Sequence, residues 1–187
     1  MSLPDFLTAL VLWGLWTTYW IASAGRSKPV DRRESPASRT AQTIAISAGG
    51  LLVLVPGLGL PAFDATAFTP WPKAGTALVA AGLGFMVWAR RSLGDNWSAE
   101  VSIRQGHELV RAGPYGWVRH PIYTGGLVAV AGTFLMGGLW RGAIGVVLIV
   151  ATLVYKLRLE ETWLSGVFGD AYARYRAEVR ALVPGVW

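Results

Sequence analysis

Two short stretches of this chain carry the groups that could do chemistry. Gly113-Pro114-Tyr115-Gly116-Trp117-Val118-Arg119-His120-Pro121-Ile122-Tyr123 sets a guanidinium, an imidazole and two phenols at the start of one apolar run. Leu157-Arg158-Leu159-Glu160-Glu161 closes a second apolar run with two adjacent carboxylates. Ionisable groups against sequence greasy enough for a bilayer are functional candidates by default, because such positions are costly to keep. Lys156 stands one helical turn before Glu160, on the same face. Alone, Lys156 with Glu160 reads as a surface ion pair and Arg119 as a headgroup anchor. Together, at the ends of neighbouring apolar runs, they outline a pocket of both charge signs, suited to a zwitterionic ligand meeting a lipophilic one.

The elements that must position these groups follow from composition. With 53% hydrophobic and 15% charged residues, 10 Trp and a mean hydropathy of +0.42, the chain is more apolar than a soluble domain and is expected to be an integral membrane protein. A bilayer core of about 30 Å needs about 20 helical residues. Five stretches come near that length, at 6–24, 41–60, 74–89, 122–139 and 142–159. The expected fold is therefore all-α, with five transmembrane helices, the last two forming a hairpin, and an amphipathic cytoplasmic tail helix. The first stretch is read as a retained helix rather than a signal peptide, since it opens on Asp5, not on basic residues. Residues 1–93 form an N-terminal three-helix membrane region, and 94–187 hold the loop, hairpin and tail that carry the chemistry.

Charge gives an orientation. With Met1 outside, the arginines and lysines of the two long loops and the tail fall on one side and only Lys73 and Arg141 on the other, the positive-inside pattern. The site then faces the cytoplasm, at the inner membrane if the source is bacterial. The net charge of +6 is answered by anionic lipid headgroups, so no nucleic-acid partner is needed. Absence of Cys excludes disulfides and thiolate metal sites. His107 and His120 lack metal-ligand spacing, so no metal is expected. Gly57-Leu58-Gly59-Leu60-Pro61-Ala62 imitates a dinucleotide fingerprint, but proline sits where the helix should start.

Local signals place the motifs. Proline suits a first helical turn, so a helix should begin at Pro121, with its positive dipole end beside Arg119 and His120, where an anion is welcome. Small residues at Gly125, Gly126, Ala129, Gly132, Gly142 and Gly145 permit close helix packing. Leu164, Phe168, Ala171, Tyr175, Val179 and Leu182 recur at helical spacing in the tail, with a break at Gly169-Asp170.

Taken together, His107-Glu108-Leu109-Val110, Gly113-Pro114-Tyr115, Arg119-His120-Pro121-Ile122-Tyr123-Thr124-Gly125, Glu160-Glu161, the run Phe168 to Tyr175 and Val183-Pro184-Gly185 resemble the isoprenylcysteine carboxyl methyltransferase family over residues 94 to 187. The resemblance implies an S-adenosylmethionine-dependent membrane methyltransferase acting on a lipophilic acceptor at the cytoplasmic face. It implies cofactor contacts at His107, Glu108, Leu109, Val110, Tyr115, His120, Pro121, Ile122, Tyr123 and Glu160, and at Glu100, where a family member has glutamine. Lys156 stands where the family usually has an acceptor-holding arginine. Lysine keeps the charge but loses the bidentate fork, so phospholipid amine and thiol acceptors stay open beside a carboxylate. For those, His120, Tyr123 or Glu161 could take the proton. A membrane reductase and a non-catalytic binding protein are the competing readings. Oligomeric state is not legible.

Overall fold

The computed structural model describes residues 3–24, 30–55, 71–97, 102–104, 106, 108–137 and 140–186. Their elements run α1 (Leu3–Ala24), β1 (Val30–Arg33), α2 (Pro36–Leu54), α3 (Pro72–Leu93), β2 (Ser102–Arg104), α4 (Pro121–Gly137), α5 (Trp140–Phe168) and α6 (Asp170–Glu178). Proline opens α2, α3 and α4, where its missing N–H costs nothing and its fixed φ already suits the turn. Ser35 caps α2 by accepting the Ser38 N–H at 3.2 Å. Gly94, at φ 55°, ends α3. The short antiparallel ribbon of β1 and β2 joins the two long polar loops at one end of the bundle.

The fold is all-α apart from that ribbon, but the expected five transmembrane helices are not found. Among the described residues only α1 and α5 are long and apolar enough to cross a membrane. The run at 41–60 overestimated its helix, because α2 stops at Leu54 and starts five residues earlier on polar sequence with Ser38, Arg39 and Thr40. α3 is diluted by Lys73, Arg90 and Arg91. α4 is apolar but has 17 residues. Arg90, in the last turn of α3, does not extend into the surroundings of the bundle. Instead it is buried at 4% exposure, donating to the Gly94 carbonyl and to the Ser23 carbonyl at 2.7 Å each and lying 4.4 Å over the Trp97 ring. It thereby satisfies the open carbonyl ends of two helices with one cation.

The two apolar helices are consistent with membrane association. In α1 just 6% of the apolar window is buried, and Leu7, Val11, Leu15 and Ile21 are all exposed. A core helix of a soluble protein would hide them. Its other face carries Trp13, Trp16 and Trp20, which pack against Ala9, Val79, Leu83 and Met86.

Glycine sets the helix pairings. A Cβ at Gly125 would stand 2.6 Å from the Gly82 carbonyl oxygen, and one at Gly82 would stand 2.5 Å from that of Gly125; Gly75 and Gly132 repeat the arrangement further along α3 and α4. Gly49 of α2 meets Gly145 of α5 in the same way. The last two helices therefore pack chiefly on α3 and α2 and less on each other. Gly125→Leu is expected to destabilise the protein by about 3 kcal/mol, since no rotamer change can clear a backbone atom. Gly84→Leu, which meets open space, should leave thermal unfolding in detergent unchanged; equal melting of the two variants would discount the contact.

Candidate active site

The entrance to α4 is held by backbone bonds before any side chain is considered. Gly113, at φ 60°, starts a tight turn through Gly116. The chain then runs parallel to a C-terminal segment, with the Arg119 N–H donating to the Arg180 carbonyl at 2.8 Å and the His120 N–H to the Ala181 carbonyl at 3.0 Å. Thr124 Oγ1 adds a bond to the Leu182 carbonyl at 2.8 Å. Gly169, at φ 49°, turns α6 back so that Tyr172 and Tyr175 are buried, and the Tyr175 hydroxyl donates to the Tyr115 carbonyl at 2.6 Å.

On this frame the two sequence motifs meet. Arg119 donates to one Glu161 oxygen from Nε at 2.9 Å and from Nη2 at 2.5 Å, and also donates to the Val179 carbonyl. His120 lies between the carboxylates, with Nδ1 3.4 Å from Glu160 and Nε2 3.4 Å from Glu161. The Tyr123 hydroxyl donates to Glu160, its ring stacked on the imidazole with centroids 5.5 Å apart. Arg176 Nε stands 3.6 Å from Glu161. Glu161 is thus surrounded by cations, with a side chain 12% exposed, whereas Glu160 keeps 25% of its side chain accessible.

These contacts decide protonation states. Burial pulls the His120 pKa down, but hydrogen bonds to Glu160 and Glu161, and their charges, outweigh it and raise the pKa above the ordinary value. Only the doubly protonated ring can donate to both carboxylates at once. Because the folded pKa is the raised one, the stabilisation is fully present below about pH 6.5 and is lost as pH climbs through the folded value. The wild type should therefore lose stability relative to His120→Gln on going from pH 6 to pH 9 in thermal unfolding; parallel pH curves would contradict a charged His120. Burial pushes Tyr175 up to about 12 and holds Tyr115 higher still, helped by the Glu160 charge. Both phenols stay neutral at physiological pH.

Beside the cluster lies a cavity of about 390 Å³ whose wall is mostly apolar, contributed by Trp13, Trp16 and Trp20 of α1 together with residues of α2 to α5. Tyr123 and Lys156 both line it. Trp13 Nε1 is tied off on Thr133 Oγ1 at 3.1 Å. The ring of Tyr123 therefore faces grease while its hydroxyl is on Glu160.

A family model for the isoprenylcysteine carboxyl methyltransferase (ICMT) family matches residues 75–165. Over that region the chain is similar to the family. A protein-S-isoprenylcysteine O-methyltransferase of Schizosaccharomyces pombe is 33% identical over 79 residues, 42% of this chain and 34% of the yeast protein. A Bacillus subtilis protein, the uncharacterized YpbQ, is 47% identical over 36 residues, 19% of this chain and 21% of its own length. The solved structure of the eukaryotic intramembrane Ras methyltransferase ICMT superposes with a TM-score of 0.56 at 23% identity, covering 79% of this chain and 53% of that one. That likeness speaks to the fold alone. The chain therefore spans only part of the length of each relative it matches.

Within the ICMT-family region, His120, Tyr123, Glu160 and Glu161 are brought together as described, and Pro121 and Ile122 form the first turn of α4. Tyr115 is buried, with Leu109 and Val110 half-buried and Glu108 exposed. Leu109 packs with Tyr172, Tyr175 and Val179. Glu100 and His107 lie outside the described residues. The tryptophans of α1 belong to the site's surroundings and are not among the residues the sequence motifs single out. Their signal was there, since positions 13, 16 and 20 share one helical face, but every aromatic in an apolar span resembles membrane anchoring.

Proposed function

We propose that this chain is an S-adenosylmethionine-dependent methyltransferase that esterifies the carboxylate of a lipophilic acceptor. The observation that carries the reading is Tyr123, which joins a carboxylate, imidazole and guanidinium cluster to an apolar cavity ending on Lys156. The match to the ICMT family model supports S-adenosylmethionine as methyl donor, and the residues fit it. An ammonium and a sulfonium call for accessible carboxylate, and Glu160 supplies one. Glu160, Tyr115, Tyr123, Leu109 and Val110 would hold the cofactor, which brings an activated methyl group.

The protein's own part is positioning and exclusion of water. Arg119 and His120 fix Glu161 and orient Glu160. Lys156 neutralises and holds the acceptor's anionic end, while Trp13, Trp16 and Trp20 receive its apolar body. His120, carrying its proton between two carboxylates, has no lone pair with which to deprotonate an acceptor. Neutral Tyr115 and Tyr175 offer no base either. An acceptor that is already ionised at neutral pH, as a carboxylate is, needs none, and this favours O-methylation over amine or thiol methylation. On this reading the first half of the chain, 1–93, contributes cavity wall and 94–187 contributes the reacting groups, and the basic residues of the loops support a cytoplasmic orientation of the site.

Methyl-labelled cofactor incubated with the protein and native membranes should deposit label that alkali releases as volatile methanol. Label resistant to alkali would identify N- or S-methylation and overturn the carboxylate assignment. Lys156→Gln should lower kcat/KM about thirtyfold through loss of one charge-assisted contact, mostly in the KM for acceptor, whereas Lys156→Arg should retain activity.

A further inference from the structure

A second cavity, of about 600 Å³, opens between α5, α6 and the segment that follows, and shares no lining residue with the apolar one. Arg119, Arg158, Arg176 and Arg180 line it, opposed by the single carboxylate of Glu161. Arg119 is already committed to that carboxylate by two hydrogen bonds, and Arg176 stands at 3.6 Å from it. Arg158 and Arg180 have no carboxylate partner among the described residues. Four guanidiniums on separate elements around one hollow, against one carboxylate, leave an excess of positive charge that a further anion would offset. Their planar forks match phosphate oxygens.

Depth within the membrane narrows the occupant. Arg158 belongs to α5, one of the two helices apolar enough to span, and lies towards its polar end. Leu157 also lines the cavity, as does Val186, which is 76% exposed. With Arg158, Arg176 and Arg180 exposed around the opening, Leu157 buried within it and Val186 exposed beside it, the hollow suits a phosphodiester whose acyl chains stay in the bilayer. We propose that this cavity binds a phosphate oxyanion, presented by the headgroup of an anionic phospholipid, on the far side of the Arg119–Glu161 pair from the apolar cavity that takes the methyl acceptor. Arg158 lies two residues from Lys156 and is turned to this cavity rather than to the acceptor.

The test uses the full chain in neutral detergent, with thermal unfolding followed against added short-chain phosphatidylglycerol, short-chain phosphatidylcholine or inorganic phosphate. Phosphatidylglycerol should stabilise saturably and phosphatidylcholine should not. The double variant Arg158→Gln/Arg180→Gln should raise the half-saturating phosphatidylglycerol concentration roughly thirtyfold, from two interfacial cations, with its lipid-free melting unchanged. Saturable stabilisation by inorganic phosphate that the variant loses would support the same oxyanion site and assign a free anion as its source. Equal responses to the two lipids, or a variant that responds like the wild type, would overturn the proposal. The headgroup comparison on unmutated protein stands even if the variant folds poorly.

Discussion

Glu160→Gln is expected to cut methyl transfer about a hundredfold in kcat/KM, which corresponds to about 2.7 kcal/mol. The substitution is nearly isosteric and keeps an oxygen for the Tyr123 hydroxyl, so the fold around α4 and α5 has little reason to change. What it removes is the one carboxylate of the pair that remains accessible, with 25% of its side chain exposed. The loss should fall on the KM for S-adenosylmethionine, because a counter-charge for the ammonium or sulfonium acts on binding as well as on the reaction. Calorimetric titration of the cofactor and thermal unfolding of the same sample check this together. Unchanged cofactor affinity in a normally melting Glu160→Gln would remove Glu160 from the site.

Arg119→Ala should cost about 3–5 kcal/mol of stability and abolish activity with it. The Arg119 and Glu161 side chains are 8% and 12% exposed, so the removal strands a carboxylate that water reaches poorly. It also deletes the donor to the Val179 carbonyl at the end of α6. Lysine at the same position should recover part of the loss, since it restores the charge but not the fork. Arg111→Ala is the natural comparison. Its partner Glu178 forms an ion pair exposed at 44% and 56%, so the change should stay within about 0.5 kcal/mol. If both variants melt alike, Arg119 is an anchor at the surface and not the keystone of the cluster. Removing Glu161 as well should restore part of the stability, as a double-mutant cycle would reveal.

How much of this was legible beforehand depended on the range of the physics involved. The start of α4 at Pro121 and the break at Gly169 were legible because each is a local rule about one residue's backbone. The meeting of Arg119, His120 and Tyr123 with Glu160 and Glu161 was legible because both motifs end apolar runs joined by a short connection. The number of spans was not, since a count of apolar residues cannot tell a stretch facing lipid from one packed on another helix. Gly75, Gly82, Gly125 and Gly132 make that difference, and their pairing is a property of two distant segments. The same applies to Arg90, whose partners Ser23 and Gly94 lie on different elements, and to the ribbon between residues 30–33 and 102–104.

The carbonyls of Arg180 and Ala181 that hold Arg119 and His120 follow both apolar helices in chain order. The entrance to α4 is therefore latched by the stretch just past α6, and a chain cut before residue 180 would keep every long helix yet lose the backbone clasp that sets the direction of Arg119 and His120.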